Sequence, residues 1–224
     1  MKARFEKLLL GTSAWPLQYE FWPADNEESK KVVIVLHGRG DHFESYHWLP
    51  ETLGIPDFNY LFLNAPDSWG GGYSWYDLAP KQAPGVVRSR RLLMEIVGSL
   101  QKDFGLNASD IFLFGFSQGC LLSLDMALRY PRAFGGIVGL SGYVFFMEEY
   151  PQALAPAAMH QRIFMTHGHQ DEVLPLNVTR VSVNALRSYG VNIDWREYDK
   201  AHTIDVVQEI PEVAAFLKHI LDLS

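Results

Sequence analysis

A serine between two glycines is the first residue whose surroundings suggest chemistry. Ser117 lies in Gly-Phe-Ser-Gln-Gly, between the apolar run DIFLFG and a stretch with a helical pattern, CLLSLDMALRYP. A strand, a tight turn and a helix are the context in which Gly-x-Ser-x-Gly presents a serine hydroxyl for nucleophilic attack. The free N–H groups at the start of the helix favour the negative charge that develops there. The alternative is a serine that only caps the helix, but that role does not require glycines on both sides.

A serine nucleophile needs a histidine to take its proton and an acid to orient that histidine. In this arrangement the chain order is serine, then Asp or Glu, then histidine. Asp171 follows one apolar run and His202 follows the next. We therefore predict that Asp171 orients His202, the base that activates Ser117. Glu172 and Asp199 are the rival acids, and Asp199 is the weaker because it lies on the loop of His202 itself.

The segment VVIVLHGRGDH, residues 32–42, predicts a strand and a loop that holds an anion. Acyl transfer needs two N–H donors for the oxyanion, one after the nucleophile and one on the loop after an earlier strand. The backbone N–H groups of Gln118 and Arg39 fit these positions, and Gly38 and Gly40 let the loop turn inward. A dinucleotide-binding loop would need a third glycine, which is absent here. An adhesion role for the Arg-Gly-Asp tripeptide is disfavoured beside an active site.

A metal site is the main chemical alternative. His167, His169 and Asp171 form a His-x-His-x-Asp string of the kind that ligates metals. No second cluster of His, Cys or Asp stands out as the remainder of such a site. The sequence therefore predicts no metal and no cofactor.

Composition and charge limit the partners of the chain. The 224 residues carry 19 basic and 26 acidic side chains, a net charge of −7, which argues against nucleic acid as a partner. One cysteine, Cys120, excludes an internal disulfide framework and suits a reducing compartment. No apolar run approaches the roughly 20 residues of a membrane span. We expect one domain over residues 1–224, a cytoplasmic location without integral membrane association, and a monomer or homodimer.

Six short apolar runs alternate with helical patterns. Such alternation predicts an α/β fold with a mostly parallel sheet flanked by helices, and sites at the carboxyl ends of its strands. The runs occupy 32–37, 59–64, 110–115, 134–141, 161–168 and 191–198. The helical patterns include 85–104, 176–189 and 204–221, with Pro211 starting a new turn or kinking the last.

The order of these motifs resembles the phospholipase/carboxylesterase family of α/β-hydrolases, which includes acyl-protein thioesterases and small bacterial carboxylesterases. The resemblance spans roughly residues 32–220 and rests on a set of motifs in order: LHGRGD, AP…GG…SWYD, GFSQG, LSGY, THGHQDEVLP and the late His202. It implies a compact α/β-hydrolase without a large lid domain that cleaves esters or thioesters without a cofactor. It also implies Ser117, Asp171 and His202 as the catalytic residues, with Arg39 and Gln118 at the oxyanion hole.

Two residues depart from the family pattern. Arg39 stands where an apolar residue is usual, and its guanidinium suits a substrate that carries a carboxylate or phosphate. The alternatives are an arginine in solvent or one paired with Glu44. Ala201 stands where a glycine commonly precedes the histidine, which is tolerated unless φ is positive.

Aromatic residues on the segment after the second apolar run could line an acyl pocket, or could simply pack that segment onto the domain. We expect the substrate-binding residues to be Trp69, Tyr73, Trp75, Tyr76 and Phe145. The predicted function is a serine esterase for a small ester, a lysophospholipid or an acyl-thioester. Because folds do not fix functions, a catalytically silent small-molecule binding module stays the alternative, followed by a metallohydrolase.

Overall fold

The structure is a computed structural model that describes residues 5–11 and 14–222. Its centre is a seven-stranded sheet in the order β1-β3-β2-β6-β7-β8-β9, in which β1 alone runs antiparallel to its neighbour. The predicted mostly parallel α/β sheet is confirmed. The strands are β1 Tyr19–Trp22, β2 Lys31–Leu36, β3 Phe58–Leu63, β4 Asp67–Trp69, β5 Gly72–Ser74, β6 Ile111–Phe116, β7 Gly136–Leu140, β8 Ile163–Gly168 and β9 Ile193–Tyr198.

Helices follow most of the strands. They are α1 Glu6–Leu9, α2 Leu49–Leu53, α3 Gln82–Phe104, α4 Gln118–Arg129, α5 Tyr150–Ala153, α6 Leu176–Ser188 and α7 Glu209–Asp222. The six predicted strands and the helical patterns are confirmed. Pro211 lies in the first turn of α7, as the sequence predicted. None of the helices in the described ranges combines the length and apolar character that a membrane crossing needs.

The sheet is buried on both faces, and its central strands are apolar at most positions. Along β2, Val32, Ile34 and Leu36 face one core, and Val33 and Val35 face the other. Helices α3, α4 and α6 cover the first face, and α2 and α7 cover the second. Side chains alternate across a strand, so a continuous apolar run is what a sheet covered on both faces requires.

The sheet topology places the predicted site residues at one edge of the sheet. Strands β2, β6, β8 and β9 are parallel, so their carboxyl ends point to the same edge of the sheet. Arg39 follows β2, Ser117 follows β6, Asp171 follows β8 and His202 follows β9. The sheet therefore gathers four loops that are far apart in the chain.

Candidate active site

Ser117 occupies a sharp turn between β6 and α4. Its backbone has φ of 53° and ψ of −111°, a conformation that side-chain-bearing residues rarely adopt, and its N–H donates to the carbonyl of Leu140 at 2.9 Å. The flanking glycines are required because the chain passes very close to itself here. A Cβ on Gly115 would lie 2.2 Å from the carbonyl oxygen of Gly119, and one on Gly119 would lie 2.1 Å from that of Leu36. The turn holds the hydroxyl at the start of α4.

Ser117, His202 and Asp171 form one line of hydrogen bonds, called here the Ser117–His202–Asp171 array. His202 Nε2 lies 3.0 Å from Ser117 Oγ, and His202 Nδ1 lies 2.8 Å from Asp171 Oδ2. Because a carboxylate only accepts hydrogen bonds, the Nδ1 proton points at Asp171 and the Nε2 lone pair faces the serine hydroxyl. This is the geometry in which an imidazole can take a proton from a serine.

The carboxylate of Asp171 is fixed by its own loop. Asp171 is buried, and its Oδ1 accepts the backbone N–H groups of Val173 at 3.0 Å and Leu174 at 2.8 Å. The two rival acids lie elsewhere. Glu172 is exposed, and Asp199 is exposed and accepts a hydrogen bond from the amide of Gln170 at 2.6 Å.

His167 supports Asp171, a contact that the sequence analysis did not predict. Its Nε2 donates to the carbonyl of Leu174 at 2.8 Å and lies 3.3 Å from Asp171 Oδ2. Burial lowers the pKa of His167, so the imidazole is neutral near pH 7. His169 lies away from this pair and contacts Glu197 at 3.1 Å. Across the described residues, no group of three or more His, Cys, Asp or Glu side chains could hold a metal ion.

Two backbone N–H groups, those of Gln118 and Arg39, donate to no acceptor among the described residues. Gln118 is the first residue of α4, so its N–H has no acceptor within the helix. In the loop after β2, the N–H of Gly40 donates to Tyr73 at 2.7 Å and that of Asp41 donates to Gly38 at 3.4 Å. Between them, the N–H of Arg39 donates to no other residue in the described part of the chain.

The side chain of Gln118 has a second, structural role. Its Oε1 accepts the backbone N–H of Trp75 at 2.9 Å and the hydroxyl of Ser74 at 3.3 Å, and its Nε2 donates to the carbonyl of Tyr76 at 2.8 Å. All of these atoms are buried, so the amide joins the start of α4 to the segment after β5. Glutamine supplies both an acceptor and a donor here, which a leucine could not.

A pocket of about 290 Å³ opens over Ser117. Two of the expected substrate-binding residues, Trp69 and Tyr76, line it together with Leu78 and Tyr143. Its remaining lining comes from Gly38, Arg39, Asp41, Phe116, Gln118, Val173, Leu174 and His202. A second depression of about 270 Å³ shares Asp41, Phe116 and His202 with this pocket.

Three expected substrate-binding residues do not line this pocket, and each has another partner. Trp75 is fully buried, and its indole N–H donates to the carbonyl of His37 at 2.9 Å. The hydroxyl of Tyr73 donates to Gln18 at 2.9 Å. The ring of Phe145 packs edge-on against Phe146, 4.7 Å away. Trp75 and Tyr73 thus hold the segment after the second apolar run onto the domain, which was the alternative left open by the sequence.

The structure shows the surroundings of Arg39 and the backbone of Ala201, the two residues that depart from the family pattern. Arg39 does not pair with Glu44, which contacts His42 at 2.9 Å instead. Its guanidinium lies over the ring of Trp69, with the central carbon 4.1 Å from the ring centroid. Ala201 is not among the described non-glycine residues with positive φ, which are Ser117 and Ser141, so an alanine is accommodated.

A buried ion pair fixes the loop that carries His202, and no sequence pattern indicated it. Lys200 Nζ lies 2.6 and 2.7 Å from the two carboxylate oxygens of Glu209 and donates to the carbonyl of Thr203 at 2.8 Å. Glu209 also accepts the N–H of Asp205 at 3.0 Å. These contacts bridge the residues on both sides of His202 to the start of α7.

With this geometry in hand, comparison with known proteins identifies the family. The model of the Phospholipase/Carboxylesterase family matches residues 18–221. The chain belongs to this family. It is a hydrolase, and its fold is that of the α/β-hydrolase esterases.

Individual relatives agree with this assignment. The chain is 29% identical to acyl-protein thioesterase 1 of Schizosaccharomyces pombe over 168 residues, which are 69% of this chain and 75% of that protein. It is 26% identical to a probable inactive carboxylesterase of Oryza sativa subsp. japonica, over 78% of this chain and 79% of the relative. Among solved structures, esterase PE8 superposes with a TM-score of 0.83 at 26% identity, covering 91% of this chain and 99% of that one.

Proposed function

We propose that this hydrolase cleaves carboxylic esters or thioesters through an acyl-enzyme formed on Ser117. The observation that carries the proposal is the Ser117–His202–Asp171 array, with its distances of 3.0 and 2.8 Å. A serine that only capped the helix would not need a histidine at its hydroxyl, and the side chain of Ser117 makes no capping hydrogen bond to α4.

In the first stage, Ser117 Oγ attacks the carbonyl carbon while His202 Nε2 takes the hydroxyl proton. The N–H groups of Arg39 and Gln118 stabilise the oxyanion, and a donor of this kind is typically worth about 3 kcal/mol. The oxyanion then collapses, the bond to the leaving oxygen or sulfur breaks, and His202 returns the proton to that atom. Asp171 holds the imidazole in the required tautomer and stabilises its charged form.

In the second stage, water hydrolyses the acyl-enzyme. His202 takes a proton from the water as the water oxygen attacks the acyl carbon, and then returns it to Ser117 Oγ when the acid leaves. The pocket of about 290 Å³ can hold the acyl group, with Trp69, Tyr76 and Leu78 as its apolar surface. Its size favours a small ester or the end of a longer acyl chain. The acyl-protein thioesterase relatives make a thioester a further candidate. A cytoplasmic location stays a prediction.

The test measures kcat/KM for p-nitrophenyl esters from acetate to palmitate and for an acyl-thioester, in the wild type and in Ser117→Ala. We expect Ser117→Ala to lose at least about 10³-fold, because the nucleophile is gone. The control is Ser188→Ala, a serine on the exposed side of α6, which should leave turnover unchanged. Turnover that persists in Ser117→Ala, or that chelators abolish, would exclude the mechanism and favour a metal site.

A catalytically silent binding module is the second candidate. It is favoured by the similarity of this chain to a probable inactive carboxylesterase. Covalent labelling by a fluorophosphonate separates the two. An active Ser117 reacts with the reagent in the wild type and in Ser188→Ala but not in Ser117→Ala. Absence of both labelling and turnover in the wild type would establish the binding module.

A further inference from the structure

Arg39 places beside Ser117 a cation that has no acceptor or counterion among the residues the structure describes. Its side chain lines the pocket that also contains Ser117 and His202. Throughout the described ranges, no hydrogen bond or ion pair joins the guanidinium to another residue, and its Nε is buried without an acceptor. A partly desolvated cation is unfavourable unless an acceptor supplies what water has lost.

The acids near Arg39 do not supply that acceptor. Glu44 contacts His42, and Asp67 accepts from Arg88 at 3.1 Å. Asp41 lines the same pocket, but its carboxylate accepts the backbone N–H of His42 at 2.9 Å and makes no ion pair with Arg39. The cation is therefore available to a ligand in the pocket.

The guanidinium is held in place by its aromatic neighbour. It stacks on Trp69, 4.1 Å from the ring centroid. The indole in turn packs on Gly40, whose φ is +79° and where a Cβ would lie 2.7 Å from the ring. A stacked guanidinium presents its edge, a planar row of N–H donors, and this edge fits a carboxylate or phosphate.

Backbone hydrogen bonds lock the two segments together. The loop after β2 carries Arg39, and the β4–β5 hairpin carries Trp69. Gly40 N–H donates to the carbonyl of Tyr73 at 2.7 Å, and Tyr73 N–H donates to that of Asp41 at 2.9 Å. The stack therefore exists before a ligand arrives, which reduces the entropy cost of binding one.

We propose that Arg39 and Trp69 form an anion subsite that selects esters or thioesters carrying a carboxylate or phosphate. The proposal rests on the proposed function and names its substrate class. The backbone N–H of Arg39 is a candidate for the oxyanion hole, and its guanidinium is one side chain away. The anionic group must therefore be joined to the scissile carbonyl by a short spacer, on the acyl side or on the leaving group.

Two pairs of esters test the subsite and tell these two sides apart. On the acyl side, mono-p-nitrophenyl glutarate is compared with p-nitrophenyl butyrate. On the leaving-group side, 4-carboxyphenyl butyrate is compared with phenyl butyrate. The quantity measured is the ratio of kcat/KM for the anionic ester to that for the neutral ester. This ratio cancels any change that a substitution at Arg39 makes in the oxyanion hole.

We expect Arg39→Gln to lower this ratio about tenfold in at least one pair, which is what the loss of one charge-assisted hydrogen bond typically causes. Arg39→Lys keeps the charge without the planar fork and should retain part of the preference. The control is Arg91→Gln on the exposed side of α3, which changes the net charge equally and should leave the ratio unchanged. Raising the ionic strength should reduce the wild-type ratio.

A wild-type ratio that Arg39→Gln leaves intact in both pairs would overturn the subsite, as would the same loss in Arg91→Gln. A loss in one pair assigns the anion to that side, and losses in both place both groups within reach. Failure of the proposed function looks different. In that case Ser117→Ala would still hydrolyse all four esters, or the wild type would hydrolyse none of them, whatever the ratios in the Arg39 variants.

Discussion

Substituting Lys200 by methionine tests whether a buried ion pair fixes the loop that carries His202. The side chain of Lys200 is 3% exposed and that of Glu209 is fully buried, and their charged atoms lie 2.6 and 2.7 Å apart. Methionine keeps the length and apolar stem of lysine but removes the ammonium. The variant therefore leaves the carboxylate of Glu209 buried, and among the described residues only the hydroxyl of Thr166 and the N–H of Asp205 still donate to it.

The size of the effect follows from this loss of compensation. Removing one partner of a buried ion pair typically costs about 3–5 kcal/mol, because the remaining charge is left without its counterion. Domains of this kind are stable by only about 5–15 kcal/mol. We expect Lys200→Met to fold but to lose about 3–5 kcal/mol in its free energy of unfolding. The double variant Lys200→Met/Glu209→Gln should recover most of this loss, because it removes the unpaired charge.

The same substitution should affect hydrolysis. Lys200 also donates to the carbonyl of Thr203, so its ammonium holds residues on both sides of His202. A small misplacement of a catalytic group can cost up to about 10²-fold in rate. We expect kcat to fall about tenfold or more with little change in KM, since Lys200 does not line the pocket.

Urea unfolding followed by tryptophan fluorescence, with steady-state esterase assays on the same samples, measures both effects. Lys218→Met is the matched control, because Lys218 is exposed on α7. A loss below about 1 kcal/mol in Lys200→Met would mean that the pair behaves like a surface ion pair and would refute the reasoning. A double variant less stable than the single one would refute it equally.

Further predictions concern the close contacts and the buried histidines. Gly119→Ala should prevent folding or lower the free energy of unfolding by more than about 4 kcal/mol, since its Cβ would lie 2.1 Å from a carbonyl of β2. Gly98→Ala lies in open space on α3 and should raise the free energy of unfolding by about 1 kcal/mol. Thermal unfolding of the two variants measures both effects. Burial lowers the pKa of both His37 and His167 from 6.5. Their contribution to stability is therefore complete above about pH 6.5 and is lost as the pH falls from there toward the lowered pKa values, by at most about 1.4 kcal/mol per pH unit for each histidine. Urea unfolding from about pH 7.5 to 5.5 should show a smaller slope in His37→Gln and an unchanged slope in the exposed His160→Gln, and equal slopes in all three proteins would contradict the assignment.

The fold could be predicted from the sequence because its central strands are buried on both faces. Such strands are largely continuous apolar runs. Each of the six predicted runs contains a strand, and the two differ only in the residues at their ends. Strand β1 was missed because it has four residues, lies at the edge and is buried at Phe21 alone. A short edge strand shows neither a long apolar run nor a clear alternation.

In the candidate site, likewise, some residues could be predicted from the sequence and others could not. Ser117, Asp171 and His202 could be predicted because parallel strands bring their carboxyl ends together whatever the loops contain. Some of the contacts that hold these residues involve distant positions and have no local sequence pattern, such as the carboxylate of Glu209 bound to Lys200 and the carbonyl of Leu140 bound to the N–H of Ser117. Trp75 was expected in the pocket because an aromatic residue in a loop has the same sequence signal whether it faces a ligand or the core. In the structure Trp75 is fully buried, with its backbone N–H bound to the amide of Gln118 and its indole N–H bound to the carbonyl of His37, and these partners are distant in the chain.

The contacts around the Ser117–His202–Asp171 array indicate that its geometry and the choice of substrate can vary independently. Asp171 is held by its own loop, the loop of His202 by the Lys200–Glu209 pair and Ser117 by the turn into α4, so each member of the array is also positioned by contacts outside the array. Arg39 and the β4–β5 hairpin lie on segments of the chain other than those that carry the array. A substitution in the hairpin can therefore change which ester is preferred while the array keeps its geometry. For the same reason Ser117→Ala should remove the nucleophile without disturbing the fold, which makes it a clean test of the mechanism.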